Sequence, residues 1–324
     1  MRILITGASG FVGRHLAQEC LGRGDEVHGT GRPGDDLPRT PELTWHSVDL
    51  LDEETIRAAL AAARPEGIVH LAGQANVALA HRDPAGTFRI NAEGTLRLLR
   101  TIQNVVPMAR TVTVSSAEVY GTVAPEELPV KETNPLRPQT PYGASKAAAD
   151  LIALQAAQGW GMDVIRMRPF NHIGPGQSLG FAAPDFASQV ASIERGEVEA
   201  VLRAGNLSAK RDFTDVRDIV RGYRDAIERG LRGQVYNLCS GKAVAIEEIV
   251  RFFLGRARIP IRLEIDSKRL RPGDVPETRG DFSRAERELG WRPHIALEQS
   301  LTDVLEEWRG VIDGVRGLPY LRST

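Results

Sequence analysis

Apolar runs and amphipathic stretches alternate through the first half of the chain. Residues 3–6, 26–30, 43–48, 67–71, 111–115 and 163–168 are short apolar or β-branched runs, the pattern of strands buried on both faces. Between them, 53–63, 87–101 and 141–158 are amphipathic or alanine-rich and predict helices. This alternation predicts an α/β protein with a doubly wound parallel sheet. The pattern changes at Arg168-Pro169-Phe170-Asn171-His172-Ile173-Gly174-Pro175-Gly176-Gln177, where proline and glycine predict a loop leaving the sheet for a smaller α/β lobe. Residues 215–229 then predict a helix and 234–239 a strand that returns to the sheet. The expected lobes are therefore interleaved: 1–169 with about 212–255 for the larger, 170–211 with about 256–324 for the smaller. Residues 32–41, with two prolines within six residues, a glycine and paired acids, predict a surface loop.

The first strand runs straight into Gly7, Gly10 and Gly13, followed by the amphipathic start Phe11-Val12-Gly13-Arg14-His15-Leu16. Strand, glycine turn and helix start in that order predict a dinucleotide-binding turn. Without Cβ atoms the backbone can approach a pyrophosphate, and the N–H groups of the helix start point at the anion. The strand over 111–115 ends in Ser115 and Ser116, and ligands of parallel sheets bind beyond the carboxyl ends of strands. Tyr142 and Lys146 are four apart on a predicted helix and share a face. A lysine ammonium one turn away, helped by an oxidised nicotinamide, is expected to bring the phenol toward neutrality so that it can move a proton. Lys146 can also hold the cofactor ribose, while a serine hydroxyl fixes the reacting oxygen. A tyrosine and a lysine at this spacing are common on helices; their place after the glycine turn and the strand-end serines carries the redox reading.

Composition narrows the partners. The 324 residues carry 41 basic and 42 acidic side chains, a net charge of −1, so no overall field favours nucleic acid or an anionic membrane. No apolar run approaches the length of a membrane span and no leader is read before Ile3, so the expectation is a cytoplasmic protein. Cys20 and Cys239 have no metal-ligand or CxxC spacing and read as buried free thiols in a reducing compartment; no metal is expected.

Together with Val69-His70-Leu71-Ala72, Asn91-Ala92-Glu93-Gly94-Thr95 and Leu289-Gly290-Trp291-Arg292-Pro293, these motifs resemble the extended short-chain dehydrogenases/reductases over nearly the whole chain. That family includes nucleotide-sugar dehydratases, epimerases and reductases. The resemblance implies a catalytic Ser116, Tyr142 and Lys146, with cofactor contacts from Gly7, Gly10, Phe11, Val12 and Gly13, from Leu71, Ala72 and Gly73, and from Tyr142, Lys146 and His172. Asp49-Leu50 resembles the adenine-contacting pair. It also implies a homodimer through helices near 87–105 and 141–158. Where an acidic residue would accept the 2′-hydroxyl of NAD, the chain has Gly29-Thr30-Gly31-Arg32, so Thr30 and Arg32 favour the 2′-phosphate of NADP(H), with NAD(H) use open.

Two further runs, Ala204-Gly205-Asn206-Leu207-Ser208-Ala209-Lys210-Arg211-Asp212-Phe213 and Arg269-Leu270-Arg271-Pro272-Gly273-Asp274-Val275, resemble the guanosine-diphosphate branch of the family. Arg211 and Arg271 offer bidentate donors to a diphosphate or a guanine edge, whereas Arg269 is expected to pair with nearby acids. Asp274, Asn171, Phe181 and Ser116 complete the expected substrate contacts. The branch contains dehydratases and reductases. Dehydratases place an acid at Ile173 and an arginine at Gln177, so this chain resembles the reductases. Glu118 falls where dehydratases keep their base, and reductases resemble this chain in carrying a glutamate there too. The expected reaction is NADPH-dependent reduction of the C4 ketone of a GDP-linked 6-deoxy-4-keto sugar. Dehydration of the parent sugar, the opposite C4 epimer and a non-catalytic dinucleotide sensor are the alternatives.

Overall fold

The computed structural model describes residues 1–35, 42–269 and 275–312. The elements follow in chain order as β1 (Arg2–Thr6), α1 (Phe11–Gly22), β2 (Glu26–Gly31), β3 (Leu43–Ser47), α2 (Glu53–Ala63), β4 (Gly67–His70), α3 (Val77–Arg82), α4 (Pro84–Phe88), α5 (Gly94–Val105), β5 (Arg110–Val114), α6 (Pro141–Gly159) and β6 (Val164–Pro169). They continue as β7 (Asn171–Ile173), α7 (Ala182–Glu194), β8 (Val201–Ala204), β9 (Lys210–Asp215), α8 (Val216–Arg229), β10 (Val235–Leu238), β11 (Ala243–Ala245), α9 (Ile246–Arg256), β12 (Arg262–Ile265), α10 (Ser283–Leu289) and α11 (Leu297–Ile312).

Seven strands form one parallel sheet in the order β10-β6-β5-β4-β1-β2-β3. The order reverses between β1 and β4, which opens a crevice at the carboxyl ends of these strands. Alternation within β1 assigns the two faces. Ile3 and Ile5 pack with Leu16 and Cys20 of α1 and Ile219 and Tyr223 of α8, whereas Leu4 packs with Ile56 and Leu60 of α2 and Leu99 and Ile102 of α5. Both cysteines are buried and free. A third core joins Phe186 and Val190 of α7, Leu202 of β8, Phe253 of α9 and Leu305 and Trp308 of α11. Beside it lie two small sheets, β11-β9-β7 and β12-β8. Among the described residues, no helix is long and apolar enough to cross a membrane.

Three expectations change. The helix expected over 87–101, and with it the dimer helix near 87–105, runs without a break but carries a π-helical turn at Arg89–Glu93 between α4 and α5. The lobe boundaries also shift. Ile249, Val250 and Phe253 of α9 pack in the third core although the segment to about 255 was expected with the large sheet. Conversely, Ala285 and Leu289 of α10, together with Trp291, pack against α8 in the main core although 256–324 was expected with the smaller lobe. The Trp291 indole N–H donates to the Asp218 carbonyl of α8 at 2.7 Å, which anchors that return.

Candidate active site

The glycine turn sits at the crevice. Gly7 has φ +71°, and a Cβ there would come within 2.9 Å of the Ala72 backbone. A Cβ on Gly13 would lie 2.3 Å from the Gly7 carbonyl oxygen, so helix α1 can start this close to the strand only with glycine. Gly10 caps α1 without a side-chain hydrogen bond, and no acidic residue occupies the first turn. The N–H groups of that turn therefore face the crevice without a side-chain cap, which fits the pyrophosphate of a dinucleotide. Phe11 stacks on His172 with ring centroids 6.2 Å apart, joining α1 to the small lobe. His172 Nδ1 donates to the Phe170 carbonyl at 3.0 Å, and burial lowers its pKa.

Helix α6 brings the second set. Thr140 caps it by accepting from Gly143 N–H at 2.9 Å, and Pro141 occupies its first turn. Tyr142, Lys146 and Asp150 then recur every fourth residue on its inward face. Lys146 Nζ donates to the Val114 carbonyl at 2.9 Å, and Ser115 Oγ donates to the Lys146 carbonyl at 3.2 Å, tying α6 to the end of β5. Ser116 accepts from Glu118 N–H at 3.2 Å and so shapes the turn that carries both residues. A Cβ on Gly143 would lie 2.8 Å from the Glu118 carbonyl, so turn and helix are in close contact. The Tyr142 phenol is pushed up to about 12 by burial; the Ser116 hydroxyl pulls it back and the Glu118 carboxylate adds to the rise. Lys146 is pulled down to about 8 by burial. The expected lowering of the phenol by Lys146 does not appear in the protein itself, where Ser116 is the group that lowers it. What the arrangement supplies is a protonated phenol, a hydroxyl and a lysine that titrates near neutrality.

The remaining expected residues are spread around this centre. Thr30 is buried under the turn, its Oγ1 accepting from Gly7 N–H at 3.3 Å, so it braces the glycine loop. Arg32 lies at the end of β2 with its side chain 80% exposed, 3.4 Å from Asp35. Asp49 is exposed and accepts from Leu51 N–H at 2.9 Å, while Leu50 is buried against Gly94. Leu71 and Ala72 flank the glycine turn, and Gly73 faces both Asn91 and Lys146. Asn171 is exposed on β7 beside His172, and Phe181 is partly exposed at the start of α7. Arg211 donates to the carbonyls of Lys210 and Val275 at 2.8 and 2.6 Å. Arg269 lies near Asp266 and Asp185, as expected of a surface pair. Arg271 and Asp274, and most of the loop expected over 32–41, fall outside the described residues. Among the described residues, no group of three or more His, Cys, Asp or Glu side chains could hold a metal ion.

The structure adds three groups that sequence reasoning did not assign. Asn91, in the π-helical turn, accepts from Gln74 N–H at 2.8 Å and donates to Ser145 Oγ at 2.9 Å, locking the floor beside Lys146. His70 links that turn to β1. Thr95 Oγ1 donates to the Asn91 carbonyl at 2.6 Å, so it accepts from His70 Nε2 at 3.0 Å. His70 Nδ1 then accepts from Thr6 Oγ1 at 2.8 Å, and Thr6 Oγ1 accepts from Ala72 N–H at 3.2 Å. This order requires a neutral imidazole, in keeping with a pKa pulled down to about 3 by burial and by the Lys146 charge. The third group is Asp212, fully buried, whose carboxylate accepts from Ser240 N–H and Oγ, Gly241 N–H and Gly280 N–H. It fixes the strand that carries Arg211. The sequence signal for Asn91 was its motif; the π-helical displacement that turns it inward has no such signal.

A family model described as GDP-mannose 4,6 dehydratase matches residues 4–304. The chain belongs to this family. Its fold is that of the extended short-chain dehydrogenases/reductases. Among its relatives, the GDP-6-deoxy-D-mannose reductase of Pseudomonas aeruginosa is 36% identical over 95% of this chain and 97% of that protein. The GDP-mannose 4,6-dehydratase of Vibrio cholerae is 29% identical over 93% of this chain and 92% of its own length. Among solved structures, RMD from Pseudomonas aeruginosa complexed with NADPH superposes with a TM-score of 0.84 at 33% identity, covering 96% of this chain and 99% of that one.

Proposed function

We propose that this family member reduces the C4 ketone of GDP-4-dehydro-6-deoxy-D-mannose to GDP-D-rhamnose with NADPH. The observation that carries this reading is the Ser116–Tyr142–Lys146 set at the mouth of the glycine-turn crevice, with the phenol held protonated. The 36% identity to a protein named GDP-6-deoxy-D-mannose reductase, and a solved relative complexed with NADPH, support the choice of substrate and cofactor.

When bound, the reduced nicotinamide supplies the hydride. Tyr142 donates its phenolic proton to the C4 oxygen as charge develops there, and Ser116 hydrogen-bonds the same oxygen. Lys146, as an ammonium, stabilises the tyrosinate left behind and orients the ribose. Gly7, Gly10, Phe11, Val12 and Gly13 hold the pyrophosphate, with Leu71, Ala72, Gly73 and His172 around the rest of the dinucleotide and Asp49 and Leu50 at the adenine. Thr30 braces the turn while Arg32 meets the 2′-phosphate. Asn171, Phe181 and Arg211, with Arg271 and Asp274, bind the sugar nucleotide across the crevice. The protein works in the cytoplasm without a nucleic-acid or membrane partner, as a homodimer through the α4–α5 segment and α6, where Phe88 and Leu151 are exposed. Its larger lobe carries the dinucleotide and its smaller lobe the GDP-sugar.

The rival is dehydration of GDP-mannose, favoured by the Glu118 carboxylate beside Tyr142. Purified protein is given NADPH and the 4-keto sugar, with GDP-mannose alone in parallel. Consumption of NADPH with the keto sugar is expected, and the C4 proton couplings of the product separate rhamnose from 6-deoxytalose. Conversion of GDP-mannose without net redox change, with the keto sugar inert, would establish the dehydratase.

A further inference from the structure

Beneath the candidate site lies a polar cluster that no step above uses. Asp150 is on α6, two turns beyond Tyr142. Its carboxylate accepts from Arg168 Nε and Nη2 at 2.8 and 3.0 Å and from Arg166 Nη1 at 2.6 Å, both arginines being on β6. Arg168 Nη1 reaches the other way and donates to the Tyr120 hydroxyl at 2.9 Å, with its guanidinium carbon 5.1 Å from the Tyr120 ring centre. Tyr120 Oη in turn donates to Asn237 Oδ1 on β10 at 2.7 Å. Asp150, Tyr120, Arg168 and Asn237 are all 4% exposed or less.

These contacts join two segments that must keep a fixed separation. Tyr120 closes the short turn that carries Ser116 and Glu118, and its backbone N–H donates to the Ala117 carbonyl at 3.1 Å. Asp150 belongs to the helix that carries Tyr142 and Lys146. Arg168 is bonded to both, and four residues later the chain reaches His172. A buried ion pair of this kind stabilises a fold little more than apolar residues of the same volume would. What a planar guanidinium does supply is direction, with a bidentate carboxylate on one edge and a hydroxyl on the other.

We propose that Arg168, clamped between Asp150 and Tyr120, is a positioning residue that sets the spacing between the Ser116 turn and the Tyr142 helix. It touches neither substrate nor cofactor and acts through both segments. The proposal rests on the functional reading above for its kinetic arm only. Around the Tyr142 phenol, Glu118 of the turn acts on it and Tyr223 of α8 interacts with it, while Lys146 follows one turn later on its own helix. Ser116 is the group that pulls the phenol down.

The test uses Tyr120→Phe, which removes one hydroxyl, and Asp150→Asn, which keeps shape and removes the charge. With NADPH binding counting the folded sites, kcat per site should fall about tenfold or more while both KM values stay within about twofold, because misalignment of reacting groups costs rate before affinity. A primary isotope effect from deuterated NADPH should grow in the same variants. In the NADP complex, an ultraviolet titration of each protein against its Tyr142→Phe counterpart should show the Tyr142 midpoint moved upward. Loss of thermal stability with kcat per site and the Tyr142 midpoint unchanged in both variants would overturn the proposal. If the wild-type protein ignores the keto sugar, the functional reading fails, and the Tyr142 midpoint still decides the positioning role: an upward shift supports it and an unchanged midpoint overturns it.

Discussion

The sheet side of the crevice is shaped by backbone, and the small-lobe side by side chains that hold backbone in place. On the first, Gly7 and Gly13 bring a strand, a turn and a helix so close that a single added Cβ meets backbone atoms. On the second, Asp212 gathers four donors from three residues, and Arg211 is placed by two carbonyls, one of them 64 residues further along the chain. The glycine wall has no flexible group that can give way. The small-lobe wall is an assembly of distant segments whose fit depends on each hydrogen bond. Substitutions on the two walls should therefore fail differently, one in cofactor binding and the other in stability and sugar-nucleotide affinity.

The reacting groups lie between the walls, so the largest effect belongs there. Tyr142→Phe should lower kcat by about 100-fold or more with little change in either KM, measured by steady-state NADPH oxidation. Next comes the glycine wall. Gly13→Ala places a methyl 2.3 Å from the Gly7 oxygen, and the KM for NADPH should rise by more than about tenfold while sugar-nucleotide binding, followed by calorimetry, holds. On the other wall, Asp212→Ala strands buried donors that each cost about 1–3 kcal/mol, so denaturant unfolding should show a loss of about 3 kcal/mol or more. Equal loss of NADPH affinity in both variants would break the distinction between the walls.

The pH dependence sharpens the same picture. Lys146 carries its charge below about 8 and loses it above, because burial lowers its pKa. The charged form is the one that stabilises a tyrosinate, so kcat/KM for reduction should be full on the acid side and fall as pH rises through about 8. A Lys146→Met variant should lose this limb along with most of its activity. The smallest effect is expected from Arg32→Ala: its exposed guanidinium should be worth a few-fold in NADPH over NADH preference, read from the ratio of kcat/KM values.

What could be read from the chain follows the same division. The strands of the large sheet are short apolar runs, and the turn at Gly7 to Gly13 and the Tyr142–Lys146 spacing are local, so each was visible in a window of a few residues. The π-helical turn at Arg89–Glu93 was not, because its sequence continues the helical pattern while the partners of Asn91, Gln74 and Ser145, lie far from it in the chain. The lobe boundaries were misplaced for a related reason. Helices α9 and α10 are each amphipathic, and periodicity shows that a face is buried without showing against which core. The pKa of Tyr142 was read from its lysine neighbour and an oxidised nicotinamide, whereas the burial that raises it belongs to the tertiary structure.

Where the hydride goes decides between reduction and dehydration. With NADPH deuterated at the transferred position and the GDP-linked 4-keto sugar as substrate, NMR of the product should show one deuterium at C4 and none at C5 or C6, with Tyr142→Phe forming almost no product. A keto sugar recovered without deuterium at C4, from protein that turns over GDP-mannose with no cofactor consumed, would contradict reduction.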